Sequence, residues 1–303
     1  MRRVALVAAA LAFVPTASAQ PVLPGGPPSA VRILEFVYRA HDGLRRLAYL
    51  VVPSGYDARH HPPIPLVISP HGRGAGALSN AMRWGDLPAD GRFAVVNPEG
   101  QGRRLALYSW GAPGQIEDLA RMSRLVERAF PWVRVDRRRI YAIGASMGGQ
   151  ETLLLVARHP HLLAGAAAFD APTNMALRYR DFLRLRRGLR LQRLARFEIG
   201  GPPRTAGESY EARSPSDLAR AIALSGVPLE LWWSVRDRIV LDEAAQSGRL
   251  YREIKRLAPD ARVREVVGRW AHTAELDAKL PIALRWLGLL PQRNRRNPVR
   301  GVV

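Results

Sequence analysis

A chain of 303 residues without cysteine is long enough to bury one large core with no disulfide, and it has neither a thiol nucleophile nor a thiolate metal site. Lysine and arginine outnumber the acids 46 to 26, and the formal charge of +20 would draw anionic polymers or surfaces. The arginines are nevertheless spread along the whole chain and accompany no nucleic-acid-binding motif, so a nucleic-acid partner is not expected.

Arg2 and Arg3 precede a short apolar run, Val4 to Val14, and Ala17-Ser18-Ala19 follows before Gln20. This layout predicts a secretory signal peptide over residues 1–19, and with it a secreted or cell-envelope location. The apolar run is too short to cross a bilayer core of about 30 Å, and a retained anchor is the alternative. No later stretch is long and uncharged enough for a second span, so no stable membrane insertion is expected once the leader is removed. Residues 20–30 form a Pro/Gly-rich linker, 31–290 one α/β domain, and 291–303 a basic tail.

The domain opens with two segments of strand character, Val31 to Tyr38 and Leu47 to Val52, around a turn at His41-Asp42-Gly43, which predicts an antiparallel hairpin. Apolar runs then recur at Ile64 to Ser69, Phe93 to Asn97, Ile140 to Gly144, Leu163 to Phe169, Leu229 to Ser234 and Val263 to Val267. They alternate with helical periods: Ile116 to Ala129, Met147 to Arg158, Leu241 to Leu257, and Ala274 to Leu289, the last expected beside the far edge of the sheet. Such alternation predicts the α/β class, a mostly parallel central sheet with helices on both faces.

Residues 173–215 interrupt the rhythm and are dense in arginine, including Arg178, Arg180, Arg184, Arg186, Arg187, Arg190, Arg193 and Arg196. Leu185, Leu189 and Phe197 among them suggest an amphipathic helical cap over the carboxyl edge of the sheet, with a solvated basic face. A helix lying on a membrane surface is the alternative.

The strongest local signal is Gly144-Ala145-Ser146-Met147-Gly148, placed between a strand and a helix-forming run. A sharp strand-to-helix turn exposes the central serine at a helix N-terminus, and it needs glycines two positions to either side because a Cβ there would clash. A serine hydroxyl needs a base within hydrogen-bond reach, and the base needs a third group to set its tautomer. In the order Ser, acid, His, the base is His272, which follows the last strand. The acid is Asp237, on the loop leaving Leu229 to Ser234, with Asp170 at the end of the preceding strand as its rival. His71-Gly72-Arg73-Gly74 follows the third strand, where the amide of Arg73 and that of Met147 would make an oxyanion hole. His71 comes before the serine and reads as structural. Trp84, Tyr108, Trp110, Trp233 and Trp270 are candidates for an aromatic pocket or for packing.

Together, His71-Gly72, Asn97-Pro98-Glu99-Gly100, the serine elbow, Trp233-Ser234 with Asp237, and Trp270 with His272 resemble the α/β-hydrolase superfamily across nearly the whole domain. Within it the chain is similar to secreted polyhydroxybutyrate-depolymerase-like and esterase-D-like esterases, and to the catalytic domain of prolyl oligopeptidases. It departs from the depolymerase pattern in having no cysteine. The resemblance implies acyl-enzyme chemistry on a small or oligomeric acyl substrate, with no cofactor and no metal. A carboxylesterase is the first reading, a prolyl-oligopeptidase-like peptidase acting on short peptides the second, and a binding protein that keeps a hydrolase fold without catalysis the third.

Overall fold

Eight strands make one sheet in the order β1-β2-β4-β3-β5-β6-β7-β8: β1 (Val31–Arg39), β2 (Arg45–Pro53), β3 (Ile64–Ile68), β4 (Ala94–Pro98), β5 (Val135–Ala145), β6 (Gly165–Phe169), β7 (Leu229–Ser234) and β8 (Val263–Gly268). The computed structural model describes residues 29–292 except 58; the leader, nearly all of the linker and the basic tail lie outside the described residues. As expected, β1 and β2 form an antiparallel hairpin, and β2 pairs antiparallel with β4. From β4 to β8 every pairing is parallel.

The inner strands β3, β4, β6 and β7 are buried at every residue, as parallel strands covered on both faces must be. Alternate side chains divide between two cores. Leu66, Ile68, Ala142, Ala168 and Leu231 meet the helices Pro113–Ala129, Met147–Arg158 and Ser247–Leu257. Val67, Val95, Ile143, Phe169 and Trp232 meet Ala81, Leu280, Ala283 and Leu284 on the opposite face. The final helix, Leu276–Trp286, therefore lies across the middle of the sheet and not beside its far edge.

Two element boundaries differ most from expectation. β5 begins five residues early, at Val135, because Arg137, Arg138 and Arg139 mask the strand pattern while Arg137 reaches Ser123 and Glu127 on a neighbouring helix. The helix expected from Leu241 begins at Ser247. Asp242 adopts a left-handed conformation (φ 51°), and the side-chain oxygen of Gln246 accepts from the amides of Thr173 (2.8 Å) and Asn174 (2.7 Å), tying this turn to the start of the insertion.

Residues 173–215 are helical as expected, with helices Met175–Asp181, Gly188–Ile199 and Gly207–Glu211. The packed face is another one. Leu189 and Phe197 are exposed, and Gln192, Ala195, Glu198 and Ile199 face inward. Glu198 decides this orientation: fully buried, it accepts from the backbone amides of Arg103, Arg104 (2.7 Å) and Leu105 (2.9 Å), so a carboxylate and not a leucine anchors the helix to the 103–105 loop. Seven of the eight arginines named above are exposed; Arg178 alone turns inward.

Glu151, in the helix after the serine, is completely buried and accepts from the hydroxyl of Ser109. Burial pushes its carboxyl up from the ordinary 4.5 to about 8. Between those values folding takes up a proton at this site, so its contribution to stability is full below 4.5 and declines as pH rises toward 8. Glu151→Gln removes that slope. Melting temperatures measured at pH 4.5, 6 and 8 should show the variant gaining on the parent as pH rises, by about 1.4 kcal/mol per pH unit inside the window.

Candidate active site

Ser146 stands between β5 and the helix Met147–Arg158 with φ 57° and ψ −123°, a conformation in which a non-glycine residue is strained. Its amide donates to the carbonyl of Phe169 at the end of β6 (2.8 Å), and its own carbonyl accepts from Gln150 (3.0 Å). The flanking glycines are sterically required. A Cβ at Gly144 would overlap the carbonyl of Gly148, and one at Gly148 would overlap that of Pro70. The elbow is thus held closed by backbone on both sides, with the hydroxyl outward.

The structure brings the three residues singled out as serine, base and acid together. His272 Nε2 lies 2.9 Å from Ser146 Oγ, and His272 Nδ1 lies 2.5 Å from Asp237 Oδ2. An ionised carboxylate only accepts, so Nδ1 carries the proton and Nε2 is left to accept from the serine. Burial raises the Asp237 carboxyl, but the imidazole of His272 and the Ile239 amide outweigh it and hold it below its ordinary value. Asp237 Oδ1 accepts from the amides of Ile239 (2.7 Å) and Val240 (3.0 Å), which fixes the plane of the carboxylate.

Asp237 and His272 meet because their loops leave the adjacent parallel strands β7 and β8. Ser234 joins the loops: its hydroxyl donates to the carbonyl of Trp270 (2.6 Å) and accepts from the amides of Trp270 (2.9 Å) and Arg236 (3.0 Å). Asp170, the rival acid, has another task. At the end of β6, with φ 46°, it accepts from the Trp270 indole (2.9 Å) and the Thr273 amide (2.8 Å), one residue to each side of the Ala271-His272 pair. An oxygen of Asp170, an oxygen of Asp237 and a nitrogen of His272 all lie within 4.8 Å of one another, yet only Asp237 is hydrogen-bonded to the imidazole. Lys279 completes the support, its ammonium 3.6 Å from the centre of the Trp270 ring.

The 71–74 loop lies against the elbow, where a Cβ on Gly72 would sit 3.9 Å from that of Ser146. Gly72, Arg73, Ser146 and His272 line one cavity. Among the described residues the amides of Arg73 and Met147 donate to no backbone or side-chain acceptor, the latter as the first residue of its helix. His71 is buried and structural: Nδ1 donates to the carbonyl of Gly72 (2.8 Å), and Nε2 accepts from the amide of Gly100 (2.7 Å). Burial lowers its pKa, and the two bonds require the neutral ring.

Of the five aromatic candidates, Trp84 lines that cavity while donating to Ser69 (3.2 Å). Trp233 and Trp270 are bound to Glu265 and Asp170 as scaffold. Two functional neighbours carried no signal in the sequence. Glu243 is buried beside Asp237 and Asp170, and burial together with those two charges pushes its carboxyl well up. Arg178 donates to the carbonyl of Ile239, in the turn that holds Asp237.

No family model matches the chain. A curated poly(3-hydroxyalkanoate) depolymerase C from Paucimonas lemoignei is 30% identical over 123 residues, 38% of this chain and 29% of that protein, so the match spans less than a third of the depolymerase. Among solved structures, an acylaminoacyl peptidase from Pyrococcus horikoshii superposes with a TM-score of 0.63 at 16% identity, over 85% of this chain and 41% of that one. An S-formylglutathione hydrolase from Staphylococcus aureus matches with 0.62 at 15% identity, over 86% and 100%. An esterase from Pyrococcus furiosus matches with 0.59 at 16%, over 90% and 95%. At such identities the likeness lies in the path of the backbone, and with its mostly parallel eight-stranded sheet, serine elbow and histidine loop the chain has the α/β-hydrolase fold of these esterases and peptidases.

Proposed function

We propose that the chain is an exported serine hydrolase that cleaves a carboxylic ester through an acyl-enzyme. The observation that carries this reading is the unbroken hydrogen-bonded series from Ser146 through His272 to Asp237 at the carboxyl rim of the sheet. His272 Nε2 takes the proton of the Ser146 hydroxyl as its oxygen attacks the carbonyl carbon, and Asp237 stabilises the imidazolium that forms. The carbonyl oxygen, now negative, rests on the amides of Arg73 and Met147. His272 returns the proton to the leaving alkoxide, and water then releases the acid by the same steps in reverse order. No step calls for a cofactor or a metal.

Export rests on the leader read in residues 1–19. No helix of the described residues is long and apolar enough to cross a membrane. The name of the depolymerase relative favours an ester of a hydroxy acid as the substrate, and the peptidase likeness keeps an amide as the second reading.

A fluorophosphonate probe and a panel of nitrophenyl acyl esters and proline-containing peptide amides test the proposal on the purified protein. Labelling confined to Ser146, with turnover of the esters, is expected. Activity on the amides alone would reverse the order of the two readings, and a folded protein that does not label would sink both.

A further inference from the structure

Arg73 has a side chain as unusual as its proposed backbone role. Its guanidinium is largely buried, with Nη1 out of solvent and without an acceptor among the described residues. It forms no ion pair with a described carboxylate, and burial lowers its pKa, with the phenol of Tyr108 acting in the opposite direction. Its carbon lies 6.0 Å from the centre of the Phe182 ring. On the same ring, at 4.8 Å, lies the guanidinium of Arg178, which with Arg213 is one of the two buried arginines of the insertion.

Two cations sharing one buried ring repel each other, and desolvation makes both unfavourable. Burial, and after it the charge of Arg73, lowers Arg178 to about 10. Arg178 has compensation: it donates to the carbonyl of Ile239, and Asp237, Asp181 and Glu243 attract it. Arg73 has none among the described residues. A buried guanidinium persists when something neutralises it, and Arg73 is one of the residues lining the cavity that holds Ser146 and His272.

We propose that Arg73 is a specificity-determining residue that receives a carboxylate of the substrate, so that the preferred ester carries a negative charge close to the scissile bond. This rests on the ester-cleaving reading above. A planar carboxylate meets the guanidinium fork with two parallel hydrogen bonds, and beside the buried ring of Phe182 that pairing is stronger than on an open surface. A neutral acyl chain of the same length leaves the buried Nη1 unanswered and forgoes the same interaction. Arg178 adds to the positive field while keeping its bond to the turn of Asp237.

The experiment compares kcat/KM for two pairs of esters: nitrophenyl hemiglutarate against nitrophenyl pentanoate, and 4-carboxyphenyl butyrate against phenyl butyrate. A preference of about tenfold or more is expected for the charged member of one pair, which tells whether the acyl or the alcohol side carries the carboxylate. In Arg73→Gln the preference should fall to near parity, and Arg73→Lys should keep part of it. A measurement on the unaltered protein stands beside the variants: glutarate should slow fluorophosphonate labelling of Ser146 at lower concentration than glutaramide does. Equal rates within both pairs, a preference that survives Arg73→Gln, or equal protection by glutarate and glutaramide would overturn the inference. Normal labelling in that case leaves the serine hydrolase standing, whereas absence of labelling removes the reading beneath it.

Discussion

Ser146→Ala should lower kcat on a nitrophenyl ester on the order of 10⁶-fold, and His272→Ala should lower it by a similar factor. The two residues act through one proton transfer across the 2.9 Å contact, so the double variant should be no slower than either single one. Two independent contributions would multiply, and a double variant far slower than the singles would contradict a shared step. Melting temperature should change little in Ser146→Ala, because the hydroxyl faces the cavity and the strain at φ 57° resides in the backbone. Steady-state rates at saturating ester, together with thermal melts of the three variants, decide the matter.

Asp237→Asn and Asp170→Asn should separate the acid that orients the histidine from the one that holds its loop. An asparagine at 237 can place an N–H against Nδ1, which moves the ring proton to Nε2 and blocks acceptance from Ser146; kcat should fall about 10⁴-fold with the fold intact. An asparagine at 170 replaces one of the two accepting oxygens by an amide nitrogen, which then meets the Trp270 indole or the Thr273 amide donor to donor. One buried unsatisfied group costs about 1–3 kcal/mol, so Asp170→Asn should lower the melting temperature and reduce the rate by about ten- to a hundredfold as His272 loses its fixed position. Stability and rate therefore move in opposite rank between the two variants. The reverse ranking in rate would assign the acid to Asp170.

Acidification bears on the two carboxylates differently. Asp237 is held below its ordinary value, so its contribution to stability is present at neutral pH and is lost only as pH falls through that lowered value. Asp170 and Glu243 are raised by burial before any other cause, and each favours the folded state more strongly as pH drops toward the ordinary carboxylate range. The site thus combines one carboxylate kept charged with neighbours shifted toward neutrality, which spares the buried cluster mutual repulsion.

The sequence by itself determined the class of the fold, the elbow and the three residues that meet. Continuous apolar runs register burial directly, so β7 (Leu229–Ser234) and the helix Met147–Arg158 were legible to the residue. The elbow was legible because a steric demand for glycine at two fixed positions leaves a local trace, and His272 because few histidines follow the serine. Only the tertiary structure decided the roles that depend on partners distant in the chain. Asp170 became a clamp on the histidine loop across about 100 residues, and Glu198 displaced Leu189 and Phe197 as the buried anchor of the insertion by finding the amides of the 103–105 loop. Arg178 was one of ten arginines in its segment until packing turned it inward, while Arg73 and Glu243 look like any surface charge in a chain so rich in arginine. The physical reason is common to these cases: hydrophobic periodicity is written locally, whereas the environment of a buried charge is set by whatever the fold brings against it.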